Sequence, residues 1–136
     1  MRFFDSNVLI YAVDDADPRR QKIARELIAH AIAINRDGVV STQVIQEFCC
    51  VATRKLKLPR EKIDEMLDYL RDLWAIDITY DLVRHALYIA EEYKIQYYDA
   101  LIVSAAERLG CQEIISEDLN AGQLYRGMVV VNPFKP

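Results

Sequence analysis

Apolar residues along this chain fall into two rhythms, and their alternation predicts the fold. Short apolar runs stand at Phe3-Phe4, Val39-Val40, Ala75–Ile78, Ile114–Ser116 and Met128–Val131. Each is too brief for a helix and suits a buried strand. Between them, apolar positions recur at three- and four-residue spacing. Asp17-Pro18 opens a helix with the stripe Ile23, Ala24, Leu27, Ile28, Ala31 and Ile34, which Asp37-Gly38 closes. Ser41 or Thr42 caps the next, with Val44, Ile45, Phe48, Val51 and Ala52. Pro59 starts a third, with Ile63, Met66, Leu67, Leu70, Leu73 and Trp74 opposite Asp64, Asp68 and Asp72. Thr79 caps a fourth, with Val83, Ala86, Ile89, Ala90 and Tyr93. A fifth opens near Tyr97-Tyr98-Asp99 and runs to Leu109, with Gly110 as a left-handed stop. Strands alternating with helices predict an α/β fold with a parallel sheet covered on both faces. No linker, repeat or low-complexity stretch interrupts residues 1–136, so a single domain is expected.

Composition narrows this little. Just over half the residues are apolar and Gly and Pro are few, which excludes disordered and fibrous classes. The three cysteines, Cys49, Cys50 and Cys111, form neither a paired framework nor a C-x-x-C spacing, so reduced thiols are expected. No secretory segment is recognisable and no apolar run reaches the roughly 20 residues of a membrane span, so a soluble, cytoplasmic protein is expected. The net charge of -4 argues against a non-specific nucleic-acid coat. It does not exclude a nuclease, because bound cations would reverse the local sign wherever acids cluster.

Four acids carry the candidate chemistry. Asp5 ends the first strand, where ligand sites form in open α/β sheets. Glu47 lies beside the apolar stripe of the second helix, Asp99 in the first turn of the last helix, and Asp118 just after the strand at Ile114–Ser116. Each alone has an ordinary structural reading. Asp5 can cap the turn after it, Glu47 can be a solvated helix residue, Asp99 can answer a helix dipole, and Asp118 can serve a turn. Together they can face one edge of one sheet. Like charges so placed raise one another's pKa, and no neighbouring Lys or Arg in these motifs offsets them. Hard divalent cations, Mg²⁺ or Mn²⁺, are the natural neutraliser for all-oxygen donors.

On Asp5-Ser6-Asn7, Glu47, Tyr98-Asp99-Ala100-Leu101-Ile102-Val103-Ser104-Ala105-Ala106 and Ser116-Glu117-Asp118-Leu119, the chain resembles the PIN-domain ribonucleases, and among them the VapC-like toxins of toxin–antitoxin pairs. The resemblance covers essentially the whole chain. Some relatives carry a further acid where this chain has Asn120, and Glu117 competes with Asp118 as the fourth acid. The resemblance implies a three-layer α/β/α sandwich on a five-stranded parallel sheet of order 3-2-1-4-5. It implies Mg²⁺-dependent hydrolysis of RNA, with Mn²⁺ as a substitute ion. Asp5, Glu47, Asp99 and Asp118 would be metal ligands and catalytic residues, with Asn7 and Ser116 orienting them. A small antitoxin and a second copy of the chain are the implied protein partners.

Arg54, Lys55 and Lys57 are candidate phosphate contacts, though charges at a helix end are commonly just solvated. His30 and His85 lie away from the motifs. Tyr97-Tyr98 suits helix-start packing better than base stacking. A catalytically silent PIN-like interaction module is the chief alternative, and the intact acids count against it. A phosphorelay receiver would need a Lys near the last strand, and Met128 to Asn132 offers none. A haloacid-dehalogenase-like phosphatase would want a second Asp where Asn7 stands.

Overall fold

The computed structural model describes residues 1–136. In chain order the elements are β1 (Arg2–Phe4), α1 (Ser6–Ala12), α2 (Pro18–Ala33), β2 (Gly38–Ser41), α3 (Thr42–Arg54), α4 (Arg60–Leu70), β3 (Trp74–Ile76), α5 (Tyr80–Tyr93), α6 (Tyr97–Arg108), β4 (Glu113–Ile115), β5 (Leu124–Tyr125) and β6 (Met128–Val131). The sheet order is β3-β2-β1-β4-β6-β5. All neighbours pair in parallel except β5 with β6. The five parallel strands thus follow the expected order, with β6 in fifth place.

Right-handed crossovers put α1 to α4 on one face of the sheet and α5 with α6 on the other. β2 is buried at every position, as a strand covered on both faces must be. Thirty-three buried residues form one apolar cluster, from Phe3 and Phe4 to Phe134. Three expected caps are in place: Asp17 accepts from the Arg20 amide, Ser41 from Val44 and Thr79 from Leu82. Thr42 instead accepts from the Ile78 amide at 3.0 Å and holds the chain leaving β3.

The structure corrects several local expectations. β5 is an added sixth strand where the sequence suggests a loop. It closes on β6 through Arg126-Gly127, both at positive φ, 50° and 82°, which is the two-residue turn that matches strand twist. α4 stops at Leu70, so Trp74 leaves the helical stripe and opens β3, where it is 68% exposed. On α5 the core contact is Leu82, and Val83 turns outward. Gly38 does more than end a helix. A Cβ there would lie 2.7 Å from Ala31 and Leu73, so only glycine lets β2 pass this closely.

Register fixes the functional edge. Phe4 pairs with Ile115 and the Asp5 amide donates to the Ile115 carbonyl at 3.0 Å, so Asp5 and Ser116 leave adjacent strands side by side. β1 is flanked by β2 and β4, which makes this the point where strand order reverses and a crevice opens.

Candidate active site

Asp5 caps α1 and stands at the end of β1. Its Oδ1 accepts from the Ser6 amide at 2.7 Å and its Oδ2 from the Ser116 hydroxyl at 2.7 Å. At 4% exposure, burial dominates its titration and pushes the carboxyl up to about 6. The two hydrogen bonds work against that rise, and Asp118 and Asp99 add repulsion to it.

Ser116 is the hub beneath this carboxylate. Its hydroxyl also accepts from Asn7 Nδ2 at 3.4 Å and from the Asp118 amide at 3.1 Å. Asn7, in the first turn of α1, reaches across as well: its Nδ2 donates to Asp118 Oδ2 at 3.3 Å and its Oδ1 accepts from the Glu117 amide at 3.2 Å. One serine and one asparagine thus link the end of β1 to the loop after β4.

Glu47 and Asp99 enter from the neighbouring helices. Glu47 is half-buried on α3, and burial pushes its carboxyl up to about 7, with repulsion from Asp5 and Asp99 adding. One turn earlier, buried Gln43 donates through Nε2 to the Tyr98 carbonyl at 3.0 Å, which ties α3 to the first turn of α6. Gln96 caps α6 by accepting from the Tyr98 and Asp99 amides. Asp99 is raised in turn, by burial first and by Asp118 second.

Glu117 and Asp118 are separated by their partners. Asp118 is exposed and is felt by Asp5 and Asp99. Glu117 is held by α1 and α2, with its Oε2 accepting from the Tyr11 hydroxyl at 2.7 Å and its Oε1 lying 3.3 Å from Arg20 Nε. That second contact is an ion pair whose N–H is not aimed at the oxygen. Burial and the bond to Glu117 push the Tyr11 phenol up to about 12, so it remains the donor.

Asp5, Glu47, Asp99 and Asp118 therefore act on one another electrostatically, and no ion pair of the chain includes any of them. They lie within the range of mutual repulsion, and no three acids stand at metal-ligating spacing. The donor set still fits a hard divalent cation, being all carboxylate oxygen with a charge excess that nothing in the chain offsets. Gln43 Oε1, buried at this site, has no hydrogen-bond donor of its own. Beside Asp118, Ile10, Tyr11, Val51 and Leu56 line a cavity of about 230 Å³ that Lys55 also lines.

The remaining candidates scatter. Arg54 and Lys57 are exposed outside that cavity, and His30 is exposed on α2. His85 pairs with Glu107 at 2.8 Å on the α5–α6 face. Tyr97 donates to the Val83 carbonyl and meets the Tyr98 ring edge-on, which is packing. Sequence reasoning passed over Tyr11, Arg20 and Gln96, and placed Gln43 one helical turn from Glu47 without giving it a role. Only Gln43 left a signal, four residues before Glu47 on the same helix face.

A family model described as PIN domain matches residues 2–126. The chain belongs to the PIN domain family. Solved structures agree with this fold across nearly the whole PIN domain. A toxin–antitoxin complex from Klebsiella pneumoniae has a TM-score of 0.69 at 20% identity, covering 98% of each chain. VapC20 of Mycobacterium tuberculosis, a sarcin–ricin loop cleaving toxin, has a TM-score of 0.67 at 18% identity, covering 87% of this chain and 92% of that one. VapBC2 of Rickettsia felis, bound to a DNA fragment from its promoter, has a TM-score of 0.63 at 17% identity, covering 95% and 96%. No curated protein matches the sequence.

Proposed function

We propose that this PIN domain, residues 1–136 acting as one unit, is a divalent-metal-dependent endoribonuclease and the toxin of a toxin–antitoxin pair. The observation that carries the reading is the set of four carboxylates at the switch point, three with raised pKa values and none with a cationic partner. Asp5, Glu47, Asp99 and Asp118 would hold the ion, Mg²⁺ or in its place Mn²⁺. When bound, such an ion makes water nucleophilic near neutral pH and neutralises charge on the phosphoryl oxygens.

The chain's own residues do the positioning. Ser116 and the Ser6 amide fix both oxygens of Asp5, so that carboxylate presents one orientation to the crevice. Asn7 holds Asp118 from the side. Lys55, the cation lining the adjoining cavity, is suited to an RNA phosphate, and Ile10 and Leu56 to the apolar face of a base. These are two-point contacts for a strand crossing the strand ends.

A small antitoxin is the expected inhibitor, because a crevice with this charge excess attracts a basic segment. That two of the similar structures are toxin–antitoxin assemblies supports this partner. For a homodimer we assign the exposed stripe Tyr80, Val83, Leu87 and Tyr88 on α5. Exposed Arg84 and Glu91, without ionic partners in the chain, stand on the same face. An antiparallel α5 of a second copy would bring each opposite the other. Three free cysteines and no helix long and apolar enough to cross a membrane accord with a cytoplasmic setting.

The test is incubation of purified protein with total and transfer RNA, with Mg²⁺, Mn²⁺ or chelator, beside Asp5→Ala and Asp99→Ala. The expected result is metal-dependent cutting that each variant lowers about 10²–10³-fold or more. Cutting that persists in both variants contradicts the assignment, and no cutting by the wild type under any condition favours the silent module.

A further inference from the structure

We infer that Glu117, clamped by Tyr11 and Arg20, is a positioning residue for Asp118 and not itself a ligand of the acidic site. This deepens the proposed metal site and rests on it.

Glu117 and Asp118 are adjacent carboxylates in a short loop, yet their side chains have different partners. Both line the cavity beside Ile10 and Leu56, with Asp118 exposed and felt by Asp5 and Asp99, while both oxygens of Glu117 have other neighbours. One takes the Tyr11 hydroxyl at 2.7 Å, and the other faces Arg20 at 3.3 Å. Each clamp partner is itself held. Arg20 is bound at Nη1 by Asp17 Oδ2 at 2.9 Å and lies 5.4 Å over the Tyr11 ring, and that ring meets Phe134 edge-on at 4.8 Å. The main chain of the same loop is gripped from α1 and from the residue after β4, with the Glu117 amide on Asn7 Oδ1 and the Asp118 amide on Ser116 Oγ.

Two consequences follow from this geometry. Turning this carboxylate inward would leave the Tyr11 hydroxyl without its acceptor and Arg20 with Asp17 as its one remaining ion-pair partner, which favours the outward setting. A loop held on one side by Glu117 and on the other by Asn7 and Ser116 leaves the intervening Asp118 few orientations. Removing the outer hold would free the loop to swing, although none of the four acids is touched. Support of this kind behind a ligand is commonly worth 10–100-fold in metal affinity.

The experiment compares Tyr11→Phe, Glu117→Gln and the double variant with the wild-type chain. It uses calorimetric titration with Mn²⁺, thermal melting, and hydrogen exchange of the Glu117 and Asp118 amides. The clamp predicts that each single variant weakens Mn²⁺ about 10-fold, that the double is no worse than the singles, and that the two amides exchange faster. Melting should fall by no more than a few degrees. A ligand role for Glu117 predicts otherwise: Tyr11→Phe would bind Mn²⁺ like wild type, and only Glu117→Gln would fail. That outcome overturns the inference, as does a large fall in melting with Mn²⁺ affinity unchanged, which would make the network a fold anchor only. Absence of any Mn²⁺ site in the wild type would overturn the metal reading itself, and the inference with it.

Discussion

Two groups of acids in this small chain are treated in opposite ways. On the α5–α6 face, Glu107 meets His85 at 2.8 Å and Arg126 at 3.8 Å, and Glu92 meets Arg126 at 2.9 Å. At the strand ends, Asp5, Glu47 and Asp99 are packed deeper and have one another for company. Folding alone would favour the first arrangement everywhere, because burying like charges costs stability. The second is the arrangement that the proposed ion would complete. The contrast is sharpest within one loop, where Glu117 has a cation and a phenol and Asp118 has neither.

The comparison can be broken in three places. The largest effect is the loss of RNA cleavage in Asp5→Ala and Asp99→Ala. A second, of several degrees in melting temperature, concerns pH. Asp5 and Glu47 titrate near 6 and 7 in the folded chain, above their unfolded values of 3.8 and 4.5. The folded state therefore holds extra protons between about pH 4 and 7, and the stability they bring is lost as pH rises through that window. In chelator, the melting temperature should fall between pH 5 and 8, and Asp5→Asn should flatten the fall. An equal slope in the variant would show that buried repulsion at Asp5 is not its source. The smallest effect is Glu107→Gln, which breaks half-exposed pairs worth less than about 1 kcal/mol. Cleavage should be unchanged there, and a large loss would show that the paired acids are not inert.

Much of this was legible because its signals are local. A short strand with two apolar residues followed by an acid can be read at Phe3-Phe4-Asp5, and Asp17, Ser41 and Thr79 announce their helices by residue type. The parallel order was carried by resemblance, with β6 in the place of the fifth strand. What stayed hidden depends on distant partners or on weak local codes. β5 is two residues long, and only Arg126-Gly127 hints at its turn. Gln96 is an unusual cap, so the start of α6 shows no capping signal. Tyr11 and Glu117 are 106 residues apart, and no pattern in either segment foretells their bond. The choice between Glu117 and Asp118 was open for that reason, and the neighbours of each oxygen are what the inference for Asp118 rests on.

The central claim is that the four unpaired acids form one site completed by a divalent ion. Calorimetric titration of Mn²⁺ into the chelator-treated protein at about pH 6.5, where both Asp5 and Glu47 are partly protonated, beside Asp5→Ala, tests it most directly. The account predicts a saturable site in the wild-type chain, with protons released as Asp5 and Glu47 lose them, and no such site in the variant. A wild-type chain that takes up no Mn²⁺, or a variant that binds it equally well, would contradict the account.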